Sequence, residues 1–171
     1  VRGAVWVAVR VPDDCISAHA NQSRIHQFDM NDKNNCMYSP DVISFAREKG
    51  YFDGVNKDFS FANAYAPLDF GARRYCEARV WSYFNMFTAR GNEFLPYILG
   101  DTDTPMPLFV KPNRKISVQD VKNAMRDHYE GTPLDISRDF GAGPYHTPYR
   151  LSPLSFKVGD KEYFNERPIS T

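Results

Sequence analysis

The stretch from about Gly71 to Phe87 limits the possible folds more than any other, because Ala72, Tyr75, Cys76, Val80, Tyr83, Phe84 and Phe87 recur at helical spacing along it. A helix patterned this way cannot leave its apolar stripe in water, so the rest of the chain must supply a layer that covers it. At 171 residues the chain suits one domain with one core, and residues 1–171 are read as a single domain.

Partner layers are sought on both sides of that helix. Ala4-Val5-Trp6-Val7-Ala8-Val9 opens a nearly continuous apolar run to Val11, which suits a strand buried on both faces. Pro12-Asp13-Asp14 reads as a turn and Cys15 to Ala20 as the returning strand, placing Asn21 at or just past a strand end. Strand ends are where a rigid sheet can aim polar groups into a cleft. Asp29 to Asn35 is a loop by composition. Tyr38-Ser39-Pro40-Asp41-Val42 predicts the start of a short helix, with Ser39 as N-cap, Pro40 at the first helical position, Val42, Phe45 and Ala46 inward, and Gly50 as the stop. Tyr51 to Pro67 alternates aromatics with turn residues and defines no element.

Met106 to Pro112 predicts an extended segment, followed by a helix from Ser117 that carries Val118, Val121, Ala124 and Met125 inward before Gly131 ends it. Thr132 to Pro153 is loop-like, and Ser155 to Phe164 predicts a hairpin turning at Gly159-Asp160.

Charge and cysteine usage exclude several functions. Lys plus Arg and Asp plus Glu both number 21, so no field of one sign favours nucleic acid or an anionic membrane. No apolar run approaches the length of a bilayer span, and Val1 to Val11 lacks the pattern of a signal peptide; a cytoplasmic setting is favoured over secretion. Cys15, Cys36 and Cys76 are an odd set without Cys-x-x-Cys spacing, and His19, His26 and His128 do not fall at zinc-ligand intervals. Neither a disulfide framework, a metal nor a cofactor is expected.

Single residues admit two readings each. Asn21 either satisfies the backbone of a turn or offers an amide to a cleft; Asn21-Gln22-Ser23 is formally a glycosylation sequon, read as coincidence. Cys15 and His19, four residues apart on a strand, stand roughly 13 Å apart, beyond hydrogen-bond reach. Cys76 falls on the apolar stripe and reads as an inert core thiol, and Arg79 as the partner of a buried carboxylate such as Glu77. His128 with Glu130 suits a helix end. Tyr145 and His146, in the Gly141 to Arg150 loop, suit the wall of a peptide cleft as well as a loop pinned by prolines.

Several blocks in fixed order then carry a resemblance. They are Ser17-Ala18-His19-Ala20-Asn21-Gln22-Ser23-Arg24-Ile25, Leu68-Asp69-Phe70-Gly71-Ala72-Arg73-Arg74-Tyr75-Cys76-Glu77-Ala78-Arg79-Val80-Trp81, Lys115-Ile116-Ser117-Val118-Gln119-Asp120-Val121 and Tyr163-Phe164-Asn165-Glu166-Arg167. Together they resemble the dipeptidase A and secernin-like cysteine dipeptidases among the N-terminal-nucleophile hydrolases. The resemblance implies an α+β fold, part of a four-layer αββα sandwich with antiparallel sheets, with which the opening strand and the hairpin are compatible. It implies that a mature N-terminal Cys attacks an amide carbonyl while its own α-amino group acts as base. Asn21 matches the oxyanion donor, and Arg74 in Arg74-Tyr75-Cys76-Glu77 matches an arginine that lowers the thiol pKa and orients the amine.

This chain opens on Val1. The resemblance therefore implies an internal or C-terminal-side portion of a longer dipeptidase, inactive alone, acting on short peptides with broad side-chain tolerance once the upstream nucleophile is present. A companion chain carrying the N-terminal part, or a homo-oligomer, is the expected partner. The alternatives are a linear-amide hydrolase of the penicillin V or bile-salt type, and a non-catalytic interaction domain.

Overall fold

The computed structural model describes residues 4–135, 137–138, 144–146 and 155–164, and its first strand does not pair as the sequence suggests. β1 (Val7–Val9) runs antiparallel to β2 (Cys36–Tyr38), with Val7 opposite Tyr38 and Val9 opposite Cys36. The Pro12-Asp13-Asp14 turn forms, but the segment after it does not return along β1. Ile16 instead bridges Val110 in the extended 106–112 segment, N–H to carbonyl in both directions at 2.8 and 3.0 Å. β1 is also not buried on both faces: Val7 and Val9 are half-buried while Ala8 is exposed, the alternation of a ribbon with one wet side.

Helix α1 (Val42–Glu48) begins two residues later than expected. Ser39 is not its cap, because the Ser39 hydroxyl accepts the Trp6 N–H at 3.2 Å and the Ser39 N–H donates to the Trp6 carbonyl at 2.9 Å. The side chain that would have capped the helix closes the β1–β2 ribbon instead. Val42, Ile43 and Ala46 are the buried positions, with Phe45 only half-buried, and Gly50 ends the helix at φ +69°.

The stretch without a sequence signal folds into a single 3-10 turn (Asn56–Asp58) and α2 (Phe61–Tyr65), whose N-cap Ser60 accepts the Asn63 N–H. Five residues are too few to show a helical period. Val42, Ile43, Ala46 and Phe59 form a core here, packed against Phe28, Met30, Tyr38, Phe52, Phe61 and Tyr65.

The long helical stretch forms in three parts: α3 (Phe70–Ala72), a π-helical turn (Arg73–Glu77) and α4 (Ala78–Phe87). α4 packs on α5 (Gly91–Leu99), a helix with no counterpart in the sequence expectations. Its signal is masked by Pro96 inside it and by Gly91 at its start. Gly91 is required by close approach: a Cβ there would lie 1.7 Å from Asn85 Oδ1, and the Gly91 carbonyl accepts the Trp81 indole N–H at 2.8 Å. Trp81, Phe84, Phe94, Tyr97, Ile98, Met106 and Leu134 make the second core.

α6 (Val118–Ala124) starts at Ser117 with a complete capping box to Asp120, as the sequence suggests, but its expected inward stripe faces out. Val118 is 74% exposed and Met125 56%, while Ala124 alone is buried. The helix stops at Ala124, ahead of Gly131, whose φ of +73° serves the following turn. β3 (Ser155–Val158) and β4 (Lys161–Phe164) form the expected hairpin, Ser155 opposite Phe164, turning at Gly159 with φ +61°. Of the loop expected over Thr132 to Pro153, residues 136, 139–143 and 147–153 lie outside the described residues. The fold is mixed α+β with antiparallel strand pairs.

Candidate active site

One buried arginine fixes the segment that carries Asn21. Arg24, 5% exposed, donates from Nε to Glu77 Oε2 at 3.0 Å, from Nη1 to the Ala18 carbonyl at 3.2 Å, and from Nη2 to the Met106 and Pro107 carbonyls at 3.2 and 3.0 Å. Its guanidinium also lies 5.4 Å from the Phe84 ring centroid. Two stretches of backbone, at Ala18 and at Met106 and Pro107, are thereby tied to the last residue of the π turn. The Ser17 hydroxyl adds a bond to the Leu108 carbonyl at 2.9 Å, and Gln22 Nε2 donates to the Ala66 carbonyl.

Glu77, 3% exposed, has its second oxygen Oε1 buried without a hydrogen-bond partner. Burial raises its pKa more than the Arg24 charge lowers it, so the net direction is upward. Tyr97 close by is pushed up to about 12, first by burial and then by the Glu77 charge. A buried pair of this kind is costly to assemble and costlier to break on one side. Arg79, the residue that sequence reasoning offered as a partner for Glu77, is engaged elsewhere.

Asn21 is exposed, and its Oδ1 accepts from Arg79 Nη2 at 2.7 Å, while Arg79 Nε donates to the Tyr75 carbonyl at 2.8 Å. A guanidinium has only donors, so this bond turns the amide NH₂ of Asn21 away from Arg79. Arg74 is half-buried with Nη1 3.4 Å from the Ile98 carbonyl near the C-terminal end of α5. Arg73 points the same way, pairing with Asp103 at 2.8 Å and stacking 4.8 Å from the Tyr97 ring centroid. The arginine hydrogen-bonded to Asn21 is therefore Arg79, which sequence reasoning assigned a structural role. Its signal was present in the Cys76-Glu77-Ala78-Arg79 stretch, but spacing along a regular helix could not locate it across a π turn.

Other sequence candidates fall outside this constellation. Tyr145 is 89% exposed, and His146, at φ +51°, has Nδ1 3.1 Å from the Ser137 carbonyl. The Cys15 thiol contacts Asp14 rather than His19, and its pKa is raised by burial and then by Asp14. Burial likewise raises the Cys36 thiol, and Cys76 is buried in the helix as expected. His128 pairs with Glu130 at 3.0 Å. Among the described residues no cluster of His, Cys, Asp and Glu could hold a metal.

The family described as Peptidase family C69 matches residues 1–166 of this chain. Relatives include a probable dipeptidase of Salmonella dublin, 39% identical over 133 residues that make up 78% of this chain and 30% of that protein. A probable dipeptidase of Latilactobacillus sakei is 31% identical over 159 residues, 91% of this chain and 31% of that protein. Dipeptidase A of Lactobacillus helveticus is 27% identical over 143 residues, 82% of this chain and 28% of that protein. The chain thus spans under a third of the length of these relatives.

Proposed function

The chain belongs to peptidase family C69, and from that premise we propose that the intact protein is a cysteine-type dipeptidase whose nucleophile, an N-terminal Cys, is contributed from outside these 171 residues. In this reading the thiolate attacks the peptide carbonyl, the carbonyl oxygen takes up the negative charge, and Asn21 Nδ2 donates a hydrogen bond to it. Collapse breaks the C–N bond as the terminal α-amino group passes the thiol's proton to the leaving amine, and water then hydrolyses the thioester to release the acid and regenerate the thiol. The single observation that carries the reading is the 2.7 Å bond from Arg79 to Asn21 Oδ1, since an amide held by its oxygen presents its donor without reorganisation.

Arg79 acts as the positioning residue for Asn21. Arg74 keeps the role that the family resemblance suggests, a fixed positive charge that lowers the thiol pKa and steadies the terminal amine. Tyr145 and His146 keep the substrate-binding role that their loop suggests in the sequence. Residues 1–171 act as one domain of a four-layer αββα sandwich whose other layers, and a companion chain or second copy where one is needed, complete the site. The relatives named as dipeptidases favour short peptides over penicillin V or bile-salt amides.

The test uses the intact protein. Substituting the N-terminal Cys by Ala abolishes dipeptide hydrolysis, and Asn21→Ala lowers kcat by about 10²- to 10³-fold with KM little changed, the usual cost of an oxyanion donor. Failure of the unsubstituted protein to cleave any dipeptide sinks the reading, and an unchanged kcat in Asn21→Ala removes Asn21 from the mechanism.

A further inference from the structure

A recess of about 320 Å³ opens beside the Asn21–Arg79 pair, between the 17–20 segment, α4 and α6, with Ala18, His19, Arg79, Tyr83, Val121 and Met125 on its walls. Arg79 lines the recess and also holds Asn21 by its oxygen, so one side chain separates the recess from the candidate donor. The volume lies within the roughly 300–1,000 Å³ of small-ligand sites, which pair apolar walls with a few polar groups.

The recess lies against part of the apolar face that α6 turns outward. A capped helix that turns apolar residues away from a core needs something else to cover them. Val121 is 39% exposed and Met125 56%, and both border this space. Among the described residues no carboxylate lines it, and the guanidinium there, that of Arg79, already donates to Asn21 and to the Tyr75 carbonyl. A cationic side chain entering beside Arg79 would lose hydration without gaining a carboxylate partner, whereas an aliphatic or thioether side chain would exchange water for Tyr83, Val121 and Met125.

We propose that this recess is the side-chain pocket for the residue whose carbonyl meets Asn21, and that it selects aliphatic or thioether side chains such as those of Leu and Met over cationic ones. The assignment rests on the dipeptidase reading and narrows it, replacing broad tolerance by an apolar preference on the acyl side of the scissile bond.

The experiment compares kcat/KM for Leu-Gly, Gly-Gly and Lys-Gly in the intact protein and in Val121→Asp, Met125→Ser and Val118→Ser. Val121 and Met125 are both partly exposed, so the two substitutions provide independent folded variants, and Val118 on the same helix is outside the recess. The Leu-Gly to Gly-Gly ratio falls about tenfold or more in Val121→Asp and Met125→Ser, the scale on which a hydrophobic pocket discriminates. Val121→Asp also raises Lys-Gly relative to Leu-Gly, and Val118→Ser leaves all the ratios as they were. Unchanged ratios in both recess variants, in an enzyme that still loses kcat on Asn21→Ala, overturn the pocket while the dipeptidase reading stands. No turnover of any dipeptide by the unsubstituted protein overturns both.

Discussion

The two cores of this protein are built on different terms. Around α1 and α2, Val42, Ile43, Ala46 and Phe59 pack with a set of aromatic rings, Phe28 on Tyr38 at 5.7 Å and Phe52 on Phe59 at 5.2 Å between centroids, and these buried residues are all apolar. Around α4 and α5 the rings of Trp81, Phe84 and Tyr97 share the interior with an ion pair, Arg24 and Glu77, and with a π turn. The first arrangement gains most of its stability from apolar area and ring packing, with Tyr38 and Tyr65 hydroxyls donating to the Met30 and Val42 carbonyls. The second accepts desolvated charge and irregular backbone, and it is the one whose edge carries Asn21. π turns of this kind recur at functional sites, and a buried guanidinium with several fixed acceptors holds backbone more rigidly than apolar contact does.

The strongest way to break that comparison is Arg24→Met. Removing one partner leaves Glu77 buried without a counter-charge, with an expected loss of about 3–5 kcal/mol in urea unfolding. The double substitution Arg24→Met with Glu77→Leu is expected to recover most of that stability and, under the proposed function, little of the turnover, because the clamp on the Ala18 and Met106 carbonyls is still gone. Recovery of both would mean the pair serves stability alone. Next in size is Arg79→Met, expected to lower kcat about tenfold through loss of a charge-assisted bond, with the unfolding midpoint nearly unchanged.

In the aromatic core, Phe59→Leu is expected to cost less than about 1.5 kcal/mol and to leave turnover per folded molecule as it was. A fall in turnover there would join the two regions functionally. The smallest effect belongs to neither core. Ser117→Ala removes the N-cap of α6 and is expected to cost about 1 kcal/mol by thermal unfolding. The same cap gives the helix an acid limit: hydrogen bonding from Arg114, then from Ser117, holds the Asp120 pKa well below the carboxylate range. A carboxylate depressed in the folded state stabilises fully above its unfolded pKa, near 4, and that contribution is lost as pH falls towards its folded value. Asp120→Asn is expected to flatten this part of an acid titration of stability.

Several features were legible in the residues because they depend on neighbours in sequence. The Ser117 to Asp120 box, the positive-φ stop at Gly50, the Pro12-Asp13-Asp14 turn and the Gly159 hairpin all formed where local chemistry put them. Others were hidden for identifiable reasons. α5 contains a proline and begins on a glycine demanded by contact with Asn85, so local propensity argued against a helix that tertiary packing made. Ser39 looked like a cap, but its hydroxyl was taken by Trp6 across the ribbon. At the candidate site, Asn21 was found through the family resemblance, whereas its partner Arg79 was not. Reading angles at 3.6 residues per turn fails across a π turn, which shifts the phase of everything after it.

By itself, then, the sequence determined the mixed α+β character, the capped start of α6, the turns at Pro12-Asp13-Asp14, Gly50 and Gly159, and, through the ordered blocks, the family. Those are set by short-range sterics, by capping, and by motifs contiguous in the chain. Tertiary structure alone decided that the 15–20 segment pairs with Val110 rather than with β1, that α6 turns its apolar face outward, and that Arg79 meets Asn21. Each of those outcomes depends on partners distant in sequence competing for the same hydrogen bond or the same buried area, and no local pattern records which of them wins.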